Sequence, residues 1–188
     1  MTCADIQAAI AGHSRTCLWS PQKALAVRNS SGIVGWEADL LIVQPSGWVW
    51  EVEVKVSVSD FRREFTAGSK IKKHTALTKG EFQRWAGSKL RQNMVRKFFY
   101  AMPSEVYEKV KSEVPDYAGV ILVAKEPGDY GRLRPRIERN AKVLPARRAN
   151  DKDRTAILLS VYHRYWRLKP NAFADCETEA LPEEAPPQ

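Results

Sequence analysis

Asp39, Glu53 and Lys55 are two carboxylates and an ammonium carried on neighbouring stretches of strand-like sequence. Side chains alternate between the faces of a strand, so Glu51, Glu53, Lys55 and Ser57 share one face and Val52, Val54, Val56 and Val58 the other. Glu37 and Asp39 share a face of the stretch before it. If the two stretches form a hairpin, Asp39, Glu53 and Lys55 meet beside a buried apolar layer. Charged groups there lose hydration free energy unless something compensates them. A divalent metal together with an anionic substrate would do so, whereas an ion pair across a hairpin is the plainer alternative.

The elements that must position these groups can be read from periodicity. Leu40 to Val43 is a short apolar run, Gln44 to Gly47 a turn built on Pro and Gly, and Trp48 to Val58 alternates with period two. Strict alternation sends Trp48 and Trp50 to the core with Val52 and Val54. Ser57-Val58-Ser59-Asp60 then offers a helix N-cap, with Asp60 read as a capping residue. Phe61, Phe65 and Ile71 are the apolar points of that basic helical stretch, and Gly68 breaks or shortens it.

Upstream, residues 4 to 11 read as a short helix capped by Thr2, and Leu25 to Val27 as a strand. Residues 81 to 92 read as helical or irregular, and Arg96 to Met102 as a strand stopped by Pro103. A helix capped by Ser104 runs to Val114, and Ala118 to Ala124 is a buried strand. Leu133 to Ile137 suits an edge strand, because Pro135 cannot donate to a ladder. Asp153 to Leu168 is an amphipathic helix with Ile157, Leu158, Val161, Tyr165 and Leu168 at helical spacing. Tyr162, Tyr165 and Trp166 are read as packing residues. The order is α/β, a mixed β-sheet flanked by helices.

After the hairpin come V-S-V-S-D-F-R-R-E-F at 56–65, K-K-H at 72–74, K-F-F-Y-A-M-P at 97–103 and V-P-D-Y-A-G-V-I-L-V at 114–123. With Asp39 and Glu53-Val54-Lys55, this succession resembles the PD-(D/E)XK nuclease superfamily, in particular the MmcB-like DNA-repair proteins and related phage proteins. The likeness spans about residues 25 to 145. It implies a restriction-endonuclease-like core and a metal-dependent nuclease that hydrolyses phosphodiester bonds in DNA during repair, recombination or phage DNA metabolism. Asp39, Glu53 and the Val54 carbonyl would hold Mg²⁺ or Mn²⁺, with Glu37 as a further candidate ligand. Hard cations favour such oxygens, keep several waters, lower the pKa of a bound water and polarise phosphate. Lys55 would orient or deprotonate that water and stabilise charge in the transition state. Many members also use a glutamate in the first helix; here only Asp5 is acidic before Glu37. Glu51, on the same face as Glu53, is either a further acid supporting the site or a solvent-facing partner for a lysine, the second being the plainer reading.

Arg62, Arg63, Lys72, Lys73 and His74 are the candidate nucleic-acid contacts, against the alternative of a solvated helix face. Phosphate contacts of this kind are independent of sequence and sensitive to salt. Trp85, close to Arg84, Lys89 and Arg91, is the candidate for base stacking.

Composition agrees with a polyanionic partner. The 188 residues are 44% hydrophobic, enough for one substantial core, with residues 1–169 read as a single domain. The net charge of +8 is uneven: residues 61–100 hold eleven Lys and Arg against two acids. Residues 170–188 hold five acids, no base and several prolines, the pattern of a disordered tail. A basic body points first to DNA. No run approaches the roughly 18 apolar residues of a membrane span, and the N-terminus lacks the features of a signal peptide. Cys3, Cys17 and Cys176 have no CxxC spacing and read as reduced thiols of a cytoplasmic protein. The competing expectation is a catalytically silent module that binds DNA or another protein, and either reading admits a homodimer.

Overall fold

The computed structural model describes residues 1–12, 24–30, 34, 36–66, 68–82, 90–125 and 132–168. The expectations for Trp85, for Cys17 and Cys176 and for the 170–188 tail lie outside the described residues. The chain opens with helix α1 (Cys3–Gly12), where the Thr2 hydroxyl accepts from the Asp5 amide and Asp5 accepts from the Thr2 amide. Strands β1 (Leu25–Ser30), β2 (Ala38–Val43) and β3 (Val49–Val54) follow as an antiparallel meander. The β2–β3 turn is the expected one. The Gln44 amide donates to the Trp48 carbonyl, the Gly47 amide to the Gln44 carbonyl, and Gly47 takes φ +84°, a conformation that favours glycine.

The alternation that predicted a strand to Val58 outlasts the strand itself. The Ser57 hydroxyl accepts from the Asp60 amide, and the chain turns into α2 (Val58–Thr66). Asp60 completes the cap by accepting from the Val56 amide. As Gly68 implied, α2 is short: it ends at Thr66, and α3 (Gly68–Lys79) begins at the glycine. Two short strands, β4 (Glu81–Phe82) and β5 (Arg91–Gln92), pair with each other where helical or irregular chain was expected.

The central strand β6 (Val95–Pro103) then runs parallel to β3. Helix α4 (Ser104–Val110) is shorter than predicted and has no side-chain cap, so Ser104 does not cap it. Strand β7 (Gly119–Lys125) is parallel to β6, and β8 (Leu133–Arg139) closes the sheet as an antiparallel edge, the place Pro135 requires. Helix α5 (Asp151–Leu168) ends the described chain. Among the described residues the main sheet has six strands in the order β1-β2-β3-β6-β7-β8, mixed and flanked by helices.

Each face of the sheet has its own core. Ile6 and Ile10 of α1 pack on Leu40, Ile42, Val52, Val54, Phe99, Ala101 and Ile121. On the opposite face Phe61, Leu77, Val106, Val110 and Ile157 from the other helices cover Leu41, Val43, Val49, Phe98, Tyr100 and Met102. Trp50 joins the α1 side, as alternation required, at the margin of that cluster. Trp48 lies half-buried under the guanidiniums of Arg96 and Arg148. Two predicted apolar positions are exposed. Ile71 points outward from α3, and among the α5 side chains described, at 151–166, only Ile157 is buried while Leu158, Val161, Tyr162 and Tyr165 stay open. No helix of the described residues is long and apolar enough to cross a membrane.

Gly119 is where β7 passes closest to its neighbours. A Cβ there would meet Phe99 Cδ1 at 2.3 Å and the Ala141 backbone nitrogen at 2.7 Å. Gly119→Ala is therefore expected to lower stability by about 1–3 kcal/mol, the usual cost of overpacking. Urea unfolding measures it; an unchanged midpoint would mean that the ring and the 141 backbone yield freely.

Candidate active site

Parallel strands need a crossover that passes over one face of the sheet. Between β3 and β6 this crossover is α2 and α3, and the side chains beneath it form the site. Strand β3 sends Glu51 and Glu53 upward on the face of Val49, and Lys55 follows just past the strand end. The β2–β3 register sets Leu40 against Val52, so Asp39 and Glu53 lie one step beyond that pair. Asp39 Oδ2 accepts from the Val54 amide at 2.7 Å, which ties the carboxylate to the Glu53-Val54-Lys55 segment. From α1 the buried Gln7 donates to the Asp39 carbonyl at 3.0 Å and to Asn29. The first helix thus reaches the site through an amide rather than an acid.

The helices close the cluster from above. Glu64 of α2 and Lys70, Lys73 and His74 of α3 point down onto β3. Lys55 Nζ lies 3.1 Å from Glu53 and 2.7 Å from Glu64. Lys73 Nζ lies 3.2 Å from Glu51, 2.7 Å from Glu53 and 3.1 Å from Glu64. Lys70 Nζ reaches Glu53 at 2.6 Å and Glu64 at 3.5 Å. The single Trp36 indole N–H is shared between the two Glu51 oxygens, at 2.9 and 3.1 Å. His74 stacks on Phe65, shares a hydrogen bond with the Tyr117 hydroxyl, and brings Nε2 to 3.1 Å from Glu64.

Burial and mutual charge set the protonation states. Burial pushes Glu51 up to about 7, only partly offset by Lys73. Burial also pushes on Glu53 and Glu64, but the surrounding ammoniums, and for Glu64 foremost the hydrogen bond from His74, outweigh it and hold both below the carboxylate range. Lys55 and Lys73 lose hydration yet rise above the ordinary lysine value because of the carboxylates around them. Both remain ammoniums at neutral pH. Asp39 moves the other way: burial and the Glu53 charge raise it against the Val54 hydrogen bond and the two nearest lysines. Cys3, at the start of α1, is pushed up to about 11 by burial and by the Asp39, Asp60 and Glu53 charges, leaving an unreactive thiol.

Several sequence expectations meet here and several do not. Asp39, Glu53 and Lys55 come together as the hairpin required. Glu37 is exposed ahead of β2, outside the cluster. Glu51 is wholly buried, not solvent-facing, because its strand face lies under the crossover. Lys73, expected to present its charge to nucleic acid, is buried among the three glutamates, and His74 is turned inward beside it. Arg62 forms a bidentate pair with Glu113, while Arg63 and Lys72 are exposed on the outer surfaces of α2 and α3. Glu64 and Lys70 were not singled out from the sequence. Their signal was spacing: Glu64 follows Phe61 by three, and Lys70, Lys73, His74 and Leu77 form one helical stripe.

The donor set fits a hard divalent cation. Among the described residues no three His, Cys, Asp or Glu side chains stand grouped as a ready ligand set. The two adjoining carboxylates, Asp39 and Glu53, nevertheless supply the oxygen chemistry that Mg²⁺ or Mn²⁺ favours. The elevated Asp39 and the lysine ammonium already seated on Glu53 both mark a place where positive charge is wanted.

Two expectations follow from these charges. Glu64→Gln removes the acid that faces three lysines and His74, and should cost about 3–5 kcal/mol by leaving buried charge unpaired. Denaturant unfolding at neutral pH reads this, and a loss below 1 kcal/mol would show that Glu64 is not the keystone. Glu51, raised in the folded state, keeps its proton where the unfolded chain has lost it. It therefore weakens the fold as pH rises from about 5 to about 7. The stability of Glu51→Gln relative to the wild type should shift in the variant's favour over that window, and a difference independent of pH would contradict this.

No family model matches this chain, and no curated protein sequence does. Among solved structures it is similar to the SPO1766 protein of unknown function from Silicibacter pomeroyi, with a TM-score of 0.51 and 16% sequence identity over 95% of this chain and 94% of that one. The likeness is one of fold.

Proposed function

We propose that this chain is a metal-dependent deoxyribonuclease of the PD-(D/E)XK type, acting in the cytoplasm on DNA in repair, recombination or phage DNA metabolism. The observation that carries the reading is the bond from the Val54 amide to Asp39, which fixes one carboxylate beside Glu53 and Lys55 at the end of β3. The order α1, a three-stranded meander, crossover helices and a parallel strand supports it, as do the exposed cations on the crossover.

In this reading Asp39 and Glu53, with the Val54 carbonyl, hold Mg²⁺ or Mn²⁺. A bound cation of this kind supplies an activated water and neutralises charge on the phosphate. Lys55 is an ammonium fixed by two carboxylates, so it donates to a phosphoryl oxygen and stabilises charge there. Its raised pKa argues against the role of proton acceptor. Arg63 and Lys72 face solvent and suit backbone phosphates, without reading sequence.

One observation favours a second reading, a catalytically silent DNA-binding or protein-interaction module. Glu53 already has lysines on both its oxygens, so that carboxylate is satisfied without a metal. The two readings part in one assay. Supercoiled, linear duplex and single-stranded DNA are incubated with the protein in Mg²⁺, Mn²⁺ or EDTA. A nuclease cleaves only with metal, and Asp39→Asn and Lys55→Ala each lower the rate by at least about 100-fold. Salt-sensitive gel shifts without cleavage, unchanged by these substitutions, would replace the nuclease with the binding module.

A further inference from the structure

The three lysines of the cluster are not equivalent. Lys73 and Lys55 are sealed in, with 1% and 5% of their side chains exposed, whereas Lys70 is 34% exposed. Lys73 has three carboxylate partners, and the Lys70 contact to Glu64 is the longest of the lattice at 3.5 Å. Its short contact, 2.6 Å, is to Glu53 Oε1, on the residue the nuclease reading assigns to metal.

Lys70 also sits where a cation is poorly held by its own helix. It belongs to the first turn of α3, the positive end of the helix dipole. Two residues earlier, the chain at Gly68 is open, with nothing within 4 Å of where a Cβ would lie. The ammonium is retained by the carboxylates beneath it, and a third of its side chain already meets solvent.

Charge balance points the same way. With every acid ionised, Asp39, Glu51, Glu53 and Glu64 face Lys55, Lys70 and Lys73, leaving one negative charge in excess. Withdrawing Lys70 leaves two, the charge that one divalent cation neutralises. Withdrawing either buried lysine would strand carboxylates that have no access to water.

We propose that the Lys70 ammonium is an exchangeable stand-in for the divalent cation: it occupies Glu53 in the metal-free protein and leaves for solvent when metal binds. Resting on the nuclease reading, this makes metal loading a cation exchange. It also delivers a positive charge to the mouth of the site at the moment an anionic phosphodiester can use it.

Calorimetric titration with Mn²⁺ alone tests the exchange. Lys70→Met keeps the length of the side chain without its charge, and should bind Mn²⁺ about three- to tenfold more tightly than the wild type, the worth of a partly exposed ion pair. Lys79→Met removes the same charge from the C-terminal end of α3 and should leave the affinity unchanged. In the unmutated protein, amine labelling read by mass spectrometry should increase at Lys70 on adding Mg²⁺ while Lys55 and Lys73 stay protected. Equal Mn²⁺ affinity in wild type and Lys70→Met, or Lys70 labelling indifferent to Mg²⁺, would overturn the exchange and leave the nuclease reading standing. Absence of Mn²⁺ binding in both proteins would overturn the exchange and the metal-dependent reading together.

Discussion

The organising constraint is the burial of two ammoniums and three glutamates, with a third ammonium at their edge, between β3 and its crossover helices. Each lysine lies within 3.5 Å of at least two carboxylates, and Glu53 and Glu64 are each shared by all three. In a low-dielectric interior such charges are tolerable only when every one is opposed. The lattice consequently dictates where α2 and α3 must lie. Glu64 has to descend from α2 between Lys55 and Lys73, and α3 has to place Lys70 and Lys73 a helical turn apart over Glu53. Two short helices, α2 ending at Thr66 and α3 beginning at Gly68, supply these side chains.

The aromatic side chains form the wall of this interior. Phe61 packs edge-on against Tyr100 and Phe65, Phe98 meets Tyr100 at right angles, and Lys73 Nζ lies over the Phe98 ring at 5.0 Å. They help to bury the cluster, and burial together with the neighbouring charges shifts the carboxyl and ammonium groups from their ordinary behaviour. The Tyr100 and Tyr117 hydroxyls are pushed upward first by burial and then by neighbouring carboxylate charge, so they stay neutral beside the two ring nitrogens of His74. Asp39 belongs to the margin of this region. It is fixed by the Val54 amide and through its own carbonyl by Gln7, but has no ammonium of its own in contact.

Much of the sheet was legible because strands and turns write their constraints locally. Gly47 had to supply a positive φ, Pro135 had to be at an edge, and Gly68 had to disturb a helix, each for a reason contained within a few residues. The trio Asp39, Glu53 and Lys55 was legible for the same reason, since period-two alternation fixes which side chains share a face. The lid was not. A polar residue at a core-facing helical position looks in sequence like a residue on a solvated face, and only the partner across the interface tells the two apart. Glu64 and Lys73 find those partners on β3. The opposite error occurred on α5, where spacing announced an apolar stripe. That helix is held to the meander by Arg154 on the Pro45 carbonyl and Arg164 on the Arg28 and Asn29 carbonyls, with Ile157 buried and most of the expected stripe exposed. Amphipathic spacing records which side is apolar; it does not record what covers it.

An apolar filling of the same volume would hold helices to a sheet at least as well as buried ion pairs do, often better. Stability alone thus gives no reason to place six charged side chains at this interface. The gradient of exposure gives one. Lys73 is at the bottom, opposed by three acids and fixed; Lys55 lies at the end of β3, opposed by two; Lys70 stands at the mouth with water beside it. The two lower ammoniums keep Glu53 and Glu64 ionised and in place, so the oxygen presented at the mouth remains an anion at neutral pH. A carboxylate held ionised at the edge of a dry interior is a poor structural element and a good cation ligand, and it requires the buried lysines beneath it to persist.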